Sequence, residues 1–148
     1  MNTEEKEAFT FPQPLLVLLK KKKKKEGKRM RLLFQKNDLI SAIQIVGRAV
    51  ASKTTMSIME CILIDATDGQ ITLTGNKTEF GIETICPGII EEAGKVALEA
   101  KLFQEIVKRL PQTEENNLYI ETVENGNCII SCEKSIFKIM GRNAEEFP

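Results

Sequence analysis

The sequence predicts an α+β fold in which one β-α-β-β-β unit occurs twice. The first sign is apolar periodicity, which changes from strand-like to helix-like and back at matching points in each half of the chain. The second is a turn dipeptide between the second and third strands of each unit, Asp68-Gly69 and then Asn125-Gly126. Both supply the positive φ angles that two-residue hairpin turns need. We therefore expect two helices packed on antiparallel sheets.

The first unit starts with an apolar run at residues 31–35, which leads into an amphipathic helix at residues 37–50. Asn37 is the candidate N-cap of this helix, and Asp38 suits its positively polarised first turn. Three strands are predicted to follow, at residues 61–67, 70–75 and 79–86. The apolar positions of the helix recur at helical spacing and are Leu39, Ile40, Ile43, Val46 and Val50.

The second unit repeats this order, with a strand at residues 94–98 and a helix at residues 100–110 that Pro111 ends. Its remaining strands are predicted at residues 117–122, 127–132 and 135–140. Because both helices occupy the same step of the unit, they should pack on the same side of the sheets. The predicted buried stripe of the second helix is Leu102, Phe103, Ile106, Val107 and Leu110.

The formal net charge of zero is the sum of two opposite parts. Residues 1–29 contain nine Lys or Arg and four Glu, whereas residues 30–148 contain 12 basic and 17 acidic residues. An acidic body is unlike an ordinary DNA-binding domain, which presents an excess of Lys and Arg. Residues 30–148 should form one domain, because a domain of that size buries enough surface to fold without disulfides or metals.

Residues 1–29 are expected to be an unstructured basic extension. The apolar run at residues 15–19 is too short for a membrane helix or a secretory signal, and positive charge follows it, so we expect no membrane association. The lysine run at residues 20–25 has two interpretations. It is either a flexible arm attracted to nucleic acid phosphates or a translated ribosome-binding sequence upstream of a true start at Met30.

Residue types typical of catalytic sites are scarce in this sequence. The chain has no His, which is the commonest general base, and none of the common phosphate-binding, hydrolase, zinc-protease or kinase motifs. Its four Cys, at positions 61, 86, 128 and 132, lack CxxC spacing and should be small buried side chains in a reducing cytoplasm. Asp65 and Asp68 could bind a metal weakly, but turn structure is favoured. We expect a non-catalytic cytoplasmic protein without metal or cofactor.

Four segments are more specific together than alone: MRLLF at residues 30–34, TDGQITLTG at 67–75, AKLFQEIVKRLP at 100–111 and EFP at 146–148. In this order and spacing they resemble the first domain of the bacterial DNA polymerase III beta subunit, the sliding clamp. The resemblance implies a DNA-clamp fold and a processivity factor, a ring that encircles duplex DNA and tethers the replicative polymerase. The implied partners are duplex DNA bound without sequence preference, a second beta subunit, the clamp loader and the polymerase.

The resemblance also implies which residues lie near DNA. In the family the two helices line the central hole of the ring, so their outward cations are candidates for attraction to phosphates. Lys53 matches the basic residue of a family loop, although Ser57 replaces the usual Pro of that loop. An ordinary solvated helix face is the alternative for each candidate. The DNA-proximal candidates are Arg48, Lys53, Lys101, Lys108 and Arg109.

The last predicted strand has apolar residues on both faces, which a terminal strand of an isolated monomer usually avoids. It is either covered on both faces within the domain or pairs with another chain. The resemblance implies a head-to-tail contact of this strand and the second helix with the third domain of a partner subunit. The interface candidates are Leu102, Glu105, Lys134, Ile136, Phe137 and Ile139.

The family's subunit has three domains of this plan, and the sequence matches the first. The peptide cleft used by polymerases and loaders lies in the other two domains, so this chain alone should neither close a ring nor bind those peptides. We interpret it as a fragment of a longer gene product. A different class of function is also open, a free-standing α+β interaction module that pairs through its last strand without contacting DNA.

Overall fold

The computed structural model describes residues 29–51, 54, 56–77, 79–111 and 117–148. Within them there are two α-helices and nine strands. The helices and eight of the strands follow the predicted order, and one strand was not predicted. The helices are α1 (Lys36–Gly47) and α2 (Ala100–Arg109). The strands are β1 (Arg31–Gln35), β2 (Cys61–Asp65), β3 (Ile71–Asn76), β4 (Gly81–Cys86), β5 (Ile89–Glu92), β6 (Lys95–Glu99), β7 (Asn117–Thr122), β8 (Cys128–Cys132) and β9 (Ser135–Ile139). Of the predicted basic extension, Arg29 alone belongs to the described residues.

The two units exchange their first strands. One sheet has the order β5-β1-β7-β8-β9 and the other has the order β4-β3-β2-β6. Each sheet thus contains three strands of one unit and the first strand of the other, and the five-stranded sheet also contains β5. Strand β1 pairs antiparallel with β7, as β6 does with β2. This exchange joins the two units into one fold and confirms the predicted α+β class with two helices on antiparallel sheets.

The sequence pattern does not predict β5. Pro87 and Gly88 precede it, and its four residues do not alternate between apolar and polar. The strand nevertheless pairs antiparallel with the outer edge of β1. The second unit has a counterpart at the equivalent position, because Arg142, after β9, forms an isolated bridge with Ala97 of β6. The repeat therefore extends one step beyond the predicted β-α-β-β-β order.

The side chain of Arg31 on β1 links β5 to β7 through ion pairs. Its Nε donates to Glu91 Oε1 on β5 at 2.6 Å, and its Nη1 donates to Glu121 Oε2 on β7 at 2.8 Å. The guanidinium carbon also lies 4.5 Å from the ring centroid of Tyr119. The hydrogen bond to Glu91 is the main cause that raises the pKa of Arg31, so the cation is stabilised where three strands meet.

The connections at both glycine dipeptides are longer than predicted. The connection between β2 and β3 spans residues 66–70, and the connection between β7 and β8 spans residues 123–127. In each dipeptide only the glycine has a positive φ, +79° for Gly69 and +77° for Gly126. Type I′ turns need positive φ at both positions, so longer loops form instead.

The predicted ends of the first helix are also wrong. Helix α1 begins at Lys36 with Gln35 as its N-cap, so Asn37 is not the N-cap. The helix ends at Gly47, three residues before the predicted end. Glycine has low helix propensity because its backbone loses the most conformational freedom on folding, which accounts for the early end.

The helices bury their apolar stripes in one core shared with both sheets. Leu39, Ile43 and Val46 of α1 and Phe103 of α2 are all buried there, as predicted. Leu102 is the exception, because 43% of its surface is exposed, and its place in the predicted buried stripe is wrong. Among the described residues, no helix has the length and apolar character that crossing a membrane requires.

Candidate nucleic-acid interface and joining edge

The two helices lie side by side and run in opposite directions. Lys36, the first residue of α1, reaches backbone carbonyls at the end of α2, because its Nζ donates to the oxygens of Lys108 and Leu110. At the other end, residues that follow α1 and residues that start α2 line one depression of about 240 Å³, among them Val50 and Lys101. The pair therefore forms one continuous surface on the side of the domain away from the sheets.

Four of the five DNA-proximal candidates lie on this surface. Arg48 directly follows α1 and Lys101 starts α2, so they belong to one end of the pair. Lys108 and Arg109 belong to the last turn of α2, at the other end. All four side chains are exposed. Lys53 lies outside the described residues.

The helix pair is basic although residues 30–148 are acidic in total. On α2, Lys101, Lys108 and Arg109 accompany one acidic residue, Glu105. Because residues 30–148 contain 17 acidic and 12 basic residues, the excess of negative charge must lie outside this helix. A separation of charge of this kind makes one side of a domain attractive to an anionic polymer while the others repel it.

Glu105 lies within the row of cations. It follows Lys101 by four residues, and its Oε2 accepts a hydrogen bond from Nε of Arg109 at 3.2 Å. Residues at this spacing share one face of a helix. An exposed ion pair of this type contributes only about 0–1 kcal/mol, so Arg109 remains available to another anion. The predicted interface residue Glu105 is thus placed beside the candidate DNA contacts.

Strand β9 is an edge of its sheet, because it pairs with β8 on one side and ends the strand order. Lys134, in the turn before it, is exposed, and Ile136 is 66% exposed. Phe137 is half-buried against the core, and Ile139 is 6% exposed. The alternation within β9 thus has Phe137 and Ile139 directed inward and Ile136 directed outward.

A shallow depression of about 210 Å³ separates the end of β9 from α2. Leu102 of α2 and Met140 directly after β9 are among the residues that line it. Met140 is 75% exposed, more than any other large hydrophobic residue of the described part of the chain. The sequence contains a signal for it, since Met140 continues the outward alternation of Ile136 and Lys138. Leu102 and Met140 thus share this depression, and Ile136 is a further exposed apolar residue on β9. We call these three residues the joining edge.

The cysteines are buried and unpaired with one another. Burial raises the pKa of the Cys86 thiol and of the Cys128 thiol to about 12, so both are protonated at neutral pH. In the described ranges, no three His, Cys, Asp or Glu side chains are grouped so as to hold a metal ion. Asp65 instead stabilises its own turn, where its Oδ1 accepts from the Thr67 N–H at 2.9 Å.

Comparison with known proteins agrees with this architecture. The family model of the N-terminal domain of the DNA polymerase III beta subunit matches residues 30–148. The beta sliding clamp of Bacillus subtilis is 33% identical over 131 residues, which cover 80% of this chain and 33% of that protein. The crystal structure of the sliding clamp from the same organism is 34% identical with a TM-score of 0.76, and the match covers 81% of this chain and 33% of that one.

A solved structure from Eubacterium rectale, described as a DNA polymerase III beta subunit, has higher identity. It is 46% identical with a TM-score of 0.76, and the match covers 80% of this chain and 32% of that chain. The chain thus spans about a third of the length of these relatives. It therefore belongs to the family of bacterial DNA polymerase III beta subunits, the sliding clamps, and matches their N-terminal domain.

Proposed function

We propose that this domain forms part of a ring that encircles duplex DNA and tethers the replicative polymerase. The observation that carries the proposal is the antiparallel helix pair, which presents exposed cations on an otherwise acidic domain. A ring stays on DNA because of its topology, so its wall needs only weak, sequence-independent attraction to phosphates. Four exposed cations near the ends of two helices suit weak attraction of that kind.

The DNA-facing residues of the proposal are the cations of the helix surface together with Lys53, which follows α1 in the sequence. Each would act through its charge rather than through contact with a base edge, because phosphate contacts position a protein without reading sequence. Their contribution should therefore decrease as salt increases, since each neutralised phosphate releases a counterion. The proposed residues are Arg48, Lys53, Lys101, Lys108 and Arg109.

We also propose that the joining edge and the rest of β9 contact the third domain of a second subunit. The free edge of β9 can extend its sheet into a partner, and the apolar side chains beside it would be covered. A contact between two different surfaces closes a ring when the rotation between subunits permits it. The contact residues predicted from the sequence are Leu102, Glu105, Lys134, Ile136, Phe137 and Ile139, and the structure adds Met140 to the proposal.

The proposed role is non-catalytic, and the proposed location is the cytoplasm. The clamp loader and the replicative polymerase are the further proposed partners, which the family engages through its other domains. Membership of the clamp family favours this role over a free-standing module that pairs through its last strand.

The test is a titration of the isotope-labelled chain with a short DNA duplex at low salt, followed by NMR. We expect amide shifts to change along α1 and α2 and to revert at high salt, with no dependence on the DNA sequence. Replacing Lys101, Lys108 and Arg109 by Ala should remove these changes, whereas Lys138→Ala on β9 should keep them. Shift changes confined to residues 1–29, or unaffected by the triple substitution, would contradict DNA contact by the helices.

A further inference from the structure

Lys36 is the one charged residue that is buried within the described part of the chain, with 5% of its surface exposed. It is the first residue of α1, yet its Nζ donates to the carbonyl oxygens of Lys108, at 3.3 Å, and of Leu110. Both acceptors belong to the end of α2, in the other unit of the repeat. The side chain of one unit thus binds the backbone of the other.

The C-terminal end of α2 attracts an ammonium group through its free carbonyl oxygens and its negative electrostatic potential. The last carbonyl groups of an α-helix have no partner within the helix, and the helix dipole places negative potential there. A lysine ammonium has three donors and no acceptor, so it can bind several carbonyl oxygens at once. A buried charge without partners would be costly, so these contacts allow Lys36 to be buried.

The same carbonyl groups belong to the end of α2, where Lys108 and Arg109 lie in the last turn. Lys108 provides one of the acceptor oxygens, and Arg109 lies between the two acceptor residues. Pro111, which follows Leu110, also has a backbone contact, because its carbonyl oxygen accepts from the Cys132 thiol on β8 at 3.8 Å. Lys36 therefore fixes the backbone that carries two of the proposed DNA contacts, although its own side chain is hidden from solvent.

We propose that Lys36 is a positioning residue for the DNA-facing surface. It holds the last turn of α2 against the start of α1, so that Lys108 and Arg109 keep a fixed position relative to Arg48 and Lys101. Without this contact the carbonyl groups of the last turn lose their partner and the turn frays. The two cations then sample many positions and bind phosphate less well. This inference rests on the proposed function in that Lys108 and Arg109 face DNA.

A double-mutant cycle separates this role from a general effect on folding. The substitution Lys36→Met keeps most of the apolar stem and removes the donors, and it is made both in the natural chain and in a Lys108→Ala/Arg109→Ala background. Binding to a fluorescent DNA duplex is measured at low salt by anisotropy. Every variant keeps residues 1–29, so the charge of that segment is the same in every comparison.

We expect Lys36→Met to weaken binding about threefold or more in the natural chain and to have almost no effect in the double-alanine background. Lys36→Arg, which keeps a cation with several donors, should restore most of the binding. Lys138→Met removes one exposed lysine from β9 and serves as the matched control, with binding close to that of the natural chain.

An equal loss in both backgrounds would overturn the proposal, because Lys36 would then act through its own charge or through overall stability. If Lys36→Met fails to fold, Lys36→Gln is taken through the same cycle, because it keeps a neutral donor. A different result would contradict the proposed function itself. In that case Lys108→Ala/Arg109→Ala would bind DNA as tightly as the natural chain while Lys36 is still present.

Discussion

Glu133 occupies the first position of the two-residue turn between β8 and β9 with a φ of +53°. A side chain with a Cβ is strained by about 1 kcal/mol in this left-handed region, which Asn tolerates better. We expect Glu133→Asn to raise the free energy of unfolding by about 0.5–1 kcal/mol, measured by urea denaturation. The turn then forms with less strain in the native state.

A matched control separates backbone strain from the loss of a charge. Glu79 is also exposed and lies in a loop, but its φ is not positive. Glu79→Asn should therefore change the free energy of unfolding by less than about 0.5 kcal/mol. Equal stabilisation by both substitutions would show that charge, rather than the φ of Glu133, limits stability.

Single residues show where a sequence pattern is sufficient and where it is not. The buried positions of α2 follow from helical spacing, and Phe103, Ile106 and Val107 were all predictable in this way. Leu102 and Lys36 were not, because spacing treats every Leu as apolar and every Lys as solvated. Their environments depend on which neighbour meets the helix flank, and this is decided by tertiary packing.

At the scale of elements, β9 has an exposed apolar side chain on a free edge. The exposed fraction of Ile136 is 66%, so Ile136→Lys should change the stability of the monomer by less than about 0.5 kcal/mol. In a three-domain subunit that begins with this domain, the same substitution should shift the dimer towards monomer, because a charge would be buried at the contact. Analytical ultracentrifugation measures both species.

The control for this prediction lies at the opposite edge of the same sheet. Ile89 of β5 is 57% exposed, so Ile89→Lys adds the same charge at a residue of similar exposure. It should leave the dimer intact. A dimer that survives Ile136→Lys, or that is lost equally with Ile89→Lys, would exclude the joining edge as the site of subunit contact.

Element order was predictable from the sequence, but the ends and connections of the elements were less so. The change between two-residue and helical periodicity fixes the order, and β7 (Asn117–Thr122) was predicted with its observed bounds. Strand β5 lacks alternation, and its pairing with β1 depends on residues distant in sequence. The glycine dipeptides indicate turns correctly, but the length of a hairpin loop also depends on the register that the two strands adopt.

At the scale of the whole molecule, the sequence predicts an acidic domain but not where its cations gather. The net charge of residues 30–148 is a sum over positions, whereas attraction to DNA depends on how those positions are arranged. The antiparallel contact of α1 with α2 brings cations from both units to one surface. Lys108 and Arg48 are 60 positions apart in sequence, so only the fold makes them part of one surface.

The buried thiols make the stability of the whole domain sensitive to alkaline pH. Burial raises the pKa of Cys86 and of Cys128 to about 12 in the folded state, against an ordinary value of 9.0. Below pH 9 both thiols are protonated in the folded and the unfolded chain, and their contribution to stability is complete. Between pH 9 and about 12 only the unfolded chain releases these protons, so the free energy of unfolding falls as pH rises.

The slope of this loss should approach about 1.4 kcal/mol per pH unit for each thiol. Urea denaturation under reducing conditions, at about pH 8 and about pH 10, measures it. The Cys86→Ala/Cys128→Ala variant should be less stable at the lower pH but lose less stability between the two, because it lacks the two thiols that release protons only in the unfolded chain. An unchanged pH dependence in this variant would mean that the two thiols ionise alike in the folded and unfolded chains, and that burial does not hold their protons.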